Sequence, residues 1–181
     1  TVQEKRTYKV NVLTNNMSNI VTIHEMEETF LSVDLSSYDT ITYDDGLVSQ
    51  LEHRHKFPNH RSIFFISPAF IQRGVNDLGQ ECMTLEHVKM LIDEGFEIGG
   101  HSYSHAKLGQ FKNLVEISTY IMHDTKQCAK WFETNLGFLP KSFAFPYNDD
   151  CKGVYKAVAK KYGFKELFGL ERKPIETLLR N

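Results

Sequence analysis

At 181 residues with 41% hydrophobic side chains, the chain is about one domain long and can fill one substantial core. Its 21 Lys and Arg nearly balance 23 Asp and Glu, which excludes a long-range field that would gather nucleic acid or anionic lipid. Cys82, Cys128 and Cys151 are an odd count without a CxxC pair, which excludes a disulfide framework and a cysteine-rich zinc site.

In chain order, residues 1–9 lack the pattern of a signal peptide, and no run approaches the roughly 20 apolar residues that span a bilayer. With free thiols, this points to a cytoplasmic protein without a membrane span, although Thr1 is not a methionine and a removed leader stays open. Thr22 followed by Glu25 has the spacing of a capping box, predicting a helix that buries Met26 and Phe30. Short apolar runs then predict strands at Thr40 to Tyr43, Ser62 to Ser67, Phe96 to Ile98 and Phe143 to Phe145, with a fifth at Leu167 to Phe168. Between them, Leu85, Val88, Leu91 and Ile92 make one helical face ending at Gly95. Leu114, Ile117, Ile121, Cys128 and Phe132 make a longer stripe ending near Gly137, and Val154, Ala157 and Val158 a third before Gly163. No repeat, low-complexity run or linker divides the chain, so residues 1–181 are expected to form a single domain.

Alternating strands and helices predict an α/β fold with a mainly parallel sheet or barrel, whose strands end on one face. Asp44-Asp45-Gly46 follows one strand end, His101-Ser-Tyr-Ser-His105 another, and Pro146-Tyr147-Asn148 a third. Alone, the first is an ordinary strand-ending turn and the second a spacing that eight histidines produce by chance. Together they sit where such a fold builds its site. Asp45, His101 and His105 supply the three ligands of a catalytic divalent ion, with zinc the first choice and cobalt, nickel and iron compatible. Asp44 is then left to take a proton from an attacking water, and a backbone N–H near Tyr147 to stabilise an oxyanion.

These residues resemble the polysaccharide deacetylases of carbohydrate esterase family 4, the NodB-homology group. Thr42-Tyr43-Asp44-Asp45-Gly46 is similar to the first family motif, TFDDG; His101 to His105 matches H(S/T)xxH; Phe143-Ala-Phe-Pro-Tyr147 resembles the third motif of some exopolysaccharide deacetylases. The likeness runs from about Ile20 to Phe168. It implies a distorted, shortened (β/α) barrel and hydrolysis of N-acetyl groups on an amino sugar or polysaccharide, in the making of a bacterial surface glycan. It also implies Asp44 as general base, Asp45, His101 and His105 as metal ligands, and Tyr147 as the oxyanion amide. Tyr103 and Pro146 are candidates to line the saccharide groove, although Tyr103 serves equally as a wedge against the core.

Three departures bear on activity. Ala144 stands where the family often has an arginine steadying the base, there is no histidine after His123 to act as the late general acid, and Trp131 lies in a predicted helix rather than in the Trp-containing motif. An amine leaves poorly unless protonated, so either Asp44 returns its proton, another residue or partner supplies one, or the site binds glycan without turnover. A silent glycan-binding or scaffold domain and an amidase on a non-sugar substrate are therefore the rival readings. His24-Glu25 is not the start of an HExxH helix, because position 28 is Glu28. His53, His55 and His60 read as polar loop residues, His87 and His123 as helix-surface or packing residues, and the oligomeric state is left open.

Overall fold

The computed structural model describes residues 19–179. The reading of residues 1–9 lies outside the described residues; among those described, no helix is long and apolar enough to cross a membrane.

The strands are β1 (Ile20–Ile23), β2 (Thr40–Tyr43), β3 (Arg61–Ile66), β4 (Glu97–Gly100), β5 (Ser142–Ala144), β6 (Glu166–Phe168) and β7 (Lys173–Pro174). The helices are α1 (Val48–Glu52), α2 (Pro68–Arg73), α3 (Leu85–Asp93), α4 (Leu114–Leu136) and α5 (Val154–Lys161). One sheet has the order β6-β5-β4-β3-β2-β1-β7, and every neighbouring pair is parallel. Although β6 and β7 occupy opposite edges, only residues 169–172 separate them. Five steps of extended chain reach about 17 Å at most, so the sheet must curl until its edges face each other. It is a shortened half-barrel with helices outside, as expected.

The curl explains why the strands read as continuous apolar runs. Side chains alternate between faces, and both faces are covered. Along β3, Ile63 and Phe65 pack inside the curl with Ala144 and Phe168, while Phe64 and Ile66 face the main core. Gly99 lets β4 lie close to this interior: a β-carbon there would overlap the Phe65 ring. The long predicted stripe is α4, opened by Asn113, whose side chain accepts from Glu116 N–H at 3.0 Å, and closed by Gly137 at φ 78°.

One expectation is corrected. Thr22 opens no helix; it is a buried residue of β1, in register with Thr42 of β2. The β-branched run Ile-Val-Thr-Ile outweighs the capping-box spacing because its pairing buries both faces. Met26 and Phe30 are nonetheless buried, from the loop and 3-10 turn that follow. The sequence reading also omitted α1, α2 and β7, which are too short to display a period.

Candidate active site

The parallel order brings the residues after β1, β2, β4, β5 and β6 to one rim. Among the described residues, five of the seven non-glycine positions with positive φ lie in its three motif loops: Asp45, Ser102, His105, Tyr147 and Asn148. Each left-handed non-glycine residue costs on the order of 1–3 kcal/mol, so these loops are held in shape by their surroundings.

Asp45 Oδ1, His101 Nε2 and His105 Nε2 converge. The two nitrogens are 3.2 Å apart, and the oxygen lies 3.6 Å from His101 and 3.5 Å from His105. Atoms about 2.0–2.1 Å from a tetrahedral zinc lie about 3.3–3.4 Å from one another, so the spacing fits such an ion. The chemistry of the donors fits as well. His101 Nδ1 lies 2.9 Å from the Ala144 carbonyl and must carry the proton, which leaves a lone pair on Nε2 facing the other donors. Burial foremost pushes the His101 imidazole down to about 4, with Asp44 opposing, so at neutral pH the ring is neutral, with Nε2 free of a proton and able to ligate. Asp45 Oδ1 is buried and has no hydrogen-bond partner among the described residues, a costly arrangement for a carboxylate unless a cation completes it. The other carboxylate oxygen accepts from Asn76 Nδ2 at 3.5 Å.

Asp44 is buried beside this group and its two oxygens differ. Oδ1 accepts from Arg172 Nη1 at 2.6 Å, whereas Oδ2 faces His101 Nε2 at 3.8 Å and His24 Nε2 at 3.7 Å. Burial pushes the Asp44 carboxyl up, but Arg172, then His101 and His24, outweigh it and hold the group below the ordinary carboxylate range. One oxygen is thus tied and the other is available to a water. Arg172, itself 3% exposed, also donates to Asn148 Oδ1 from Nε at 3.2 Å and Nη2 at 2.6 Å, and its guanidinium lies 5.6 Å from the centre of the Phe65 ring.

Arg172 and His24 were missed by sequence reasoning. The guanidinium absent at Ala144 arrives from the segment joining β6 to β7, and an imidazole missing from the C-terminal part arrives from the end of β1. Neither has a local motif. For His24 the available signal was topological, since a residue directly after a parallel strand stands on the rim, whereas Arg172 lies four residues beyond β6 and just before β7. Gln50 ties the two strand ends together: its Nε2 donates to the carbonyls of both His24 and Asp44, while its Oε1 accepts from Leu47 N–H at 3.1 Å.

Tyr147 lies at the open edge, half exposed, with its ring centroid 4.7 Å from that of His105 and its hydroxyl donating to the His105 carbonyl at 3.4 Å. The N–H groups of Asn148 and Asp149 turn back to the carbonyls of Phe145 and Pro146. Pro146 is buried. Tyr103 is partly buried against the core, its hydroxyl donating to Gln72 Oε1 at 2.8 Å. The remaining histidines stand apart from the group: His53 contacts the Ser49 carbonyl, His55 pairs with Glu94 at 3.0 Å, His60 contacts the Leu35 carbonyl, and His87 helps cap α3.

The family model described as polysaccharide deacetylase matches residues 38–167. Among solved structures, IcaB from Ammonifex degensii is 17% identical with a TM-score of 0.67, over 86% of this chain and 84% of that one. A de-N-acetylase from Aggregatibacter actinomycetemcomitans is 14% identical with a TM-score of 0.58, over 84% and 71%. A family 4 carbohydrate esterase from Streptomyces lividans is 20% identical with a TM-score of 0.53, over 71% and 60%. No curated protein gives a significant match.

Proposed function

This chain belongs to the polysaccharide deacetylase family, and we propose that it is a metal-dependent de-N-acetylase that hydrolyses N-acetyl groups on an amino sugar or polysaccharide of a bacterial surface. The observation that carries this reading is the convergence of Asp45 Oδ1, His101 Nε2 and His105 Nε2 within 3.2–3.6 Å, beside the untied oxygen of Asp44. These three side chains would hold one divalent ion, zinc first, which when bound supplies a Lewis acid that acidifies water and polarises the amide carbonyl.

The remaining roles fall to the chain itself. Asp44 Oδ2 takes the proton from the attacking water, while Arg172 keeps the carboxylate ionised and oriented through Oδ1. His24 is placed to protonate the departing amine, being half exposed at the rim and 3.7 Å from the oxygen that has just taken a proton. The Tyr147 N–H is the oxyanion donor, held by the left-handed turn that Arg172 fastens through Asn148. Tyr147 and Tyr103 offer aromatic surface to a sugar ring, with Pro146 shaping the floor of the turn. Arg172 and His24 fill, in space, the two absences that motivated the silent glycan-binding reading. Residues 1–181 acting as one catalytic domain is part of the same proposal.

The test is metal analysis of the purified protein, followed by acetate release from N-acetylglucosamine oligomers with and without a chelator. About one divalent ion per chain, turnover abolished by chelation and restored by zinc or cobalt, and loss of acetate release with retained metal in Asp44→Asn are expected. Metal-free protein that cannot be loaded, or turnover indifferent to chelation, overturns the proposal.

A further inference from the structure

The loop that carries both histidines is wrapped around a buried carboxylate from a different element. Asp124, 2% exposed on α4, accepts four hydrogen bonds, all from three consecutive residues between His101 and His105. Its Oδ2 takes the Ser102 hydroxyl and the Tyr103 N–H (2.7 Å), and its Oδ1 takes the Ser104 N–H (3.0 Å) and the Ser104 hydroxyl (2.6 Å). No cation pairs with Asp124 among the described residues. An acceptor-only group thus meets four donors, and the polarity of the whole loop follows from it.

Because the Ser102 hydroxyl donates to Asp124, it accepts from His105 N–H, at 3.1 Å. Because the Ser104 hydroxyl also donates to Asp124, the Tyr120 hydroxyl 3.0 Å away donates to Ser104 and accepts from Ala106 N–H, at 3.1 Å. Every amide from Tyr103 to Ala106 is taken in this way. Tyr120 and Asp124 are four apart on α4 and share one face, so a single helix dictates the path of the loop. Two loop residues, Ser102 at φ 63° and His105 at φ 55°, adopt left-handed backbone that these bonds hold in place.

We propose that Asp124 is a positioning residue for the metal site: its carboxylate folds the His101–His105 loop so that the two Nε2 atoms face one point. The inference rests on the metal-site reading above. It predicts that Asp124→Asn, which retains the shape but replaces one acceptor oxygen with an NH2 donor facing loop donors, misplaces His105 relative to His101.

The test is zinc affinity of the full chain, by competition with a chromophoric chelator, for wild type, Asp124→Asn, Ser102→Ala and Phe132→Leu. Phe132 is buried on the same helix, two turns on, and touches none of the loop bonds, so it controls for loss of stability. Zinc binding is expected to weaken by about 10- to 100-fold in Asp124→Asn and by several-fold in Ser102→Ala, while Phe132→Leu stays within about twofold. If Asp124→Asn fails to fold, Ser102→Ala decides alone, since it removes only the hydroxyl relay between Asp124 and His105. Wild-type affinity in Ser102→Ala or Asp124→Asn, or an equal loss in Phe132→Leu, overturns the positioning role and leaves the metal site standing. Absence of zinc binding by wild type overturns both.

Discussion

Replacing Arg172 with methionine keeps most of the side-chain volume but strips the buried Asp44 carboxylate of its cation. The pair is enclosed, with Asp44 1% and Arg172 3% exposed, so solvent screening is slight. At an effective dielectric near 20, charges about 4 Å apart interact by about 4 kcal/mol, and removing one member of a buried pair typically costs about 3–5 kcal/mol. For a chain of this length that corresponds to a fall in Tm of about 10 °C. The assay is urea and thermal unfolding of chelator-treated protein, alongside Asp44→Asn and the double variant.

The double variant is expected to recover at least half the loss, because it removes the stranded carboxylate along with the cation. The pH dependence follows from the depressed Asp44 carboxyl. A group held lower in the folded than in the unfolded state stabilises fully above its unfolded value near 3.9, and loses that contribution as pH falls toward the folded value. The gap between wild type and Arg172→Met should therefore be widest near about pH 7 and shrink below about pH 4. A loss under about 1 kcal/mol, a gap that does not narrow in acid, or a double variant no better than Arg172→Met would refute the reasoning.

His24→Gln is expected to lower kcat by about 100- to 10,000-fold while the metal content stays at the wild-type level; kcat within about threefold of wild type removes His24 as proton donor. Asp45→Asn and His105→Ala, unlike Asp44→Asn, should lose the tightly bound ion, which elemental analysis after dialysis will read directly. Cysteine labelling should be selective: burial pushes the Cys82 thiol up to about 12 and the enclosed Cys128 thiol also upward. Iodoacetamide near neutral pH should therefore mark half-buried Cys151 first, and the other two only after unfolding, as mass spectrometry of digested protein will show.

Strand β3, helices α3, α4 and α5 and the three rim motifs could be read from the chain because each is long enough to show a period or carries its chemistry in adjacent residues. Asp44, Asp45, His101 and His105 are two short clusters, and a parallel sheet puts every such cluster on the same edge whatever the details of packing. One further signal was present in plain view: Asp124 falls on the apolar stripe of α4, three residues after Ile121 and four before Cys128, where a charge needs a buried reason. Single residues from distant segments carry no such local mark. His24 looked like an abandoned metalloprotease motif, Thr22 like a helix cap, and Arg172 like one more charge near the end of the chain. Closing the curl of the sheet, which brings the β6–β7 connection across to β1 and β2, sets the guanidinium of Arg172 on Asp44, and the parallel pairing of β1 with β2, Ile23 opposite Tyr43, sets the ring of His24 beside it, because those contacts depend on strand order and not on sequence distance.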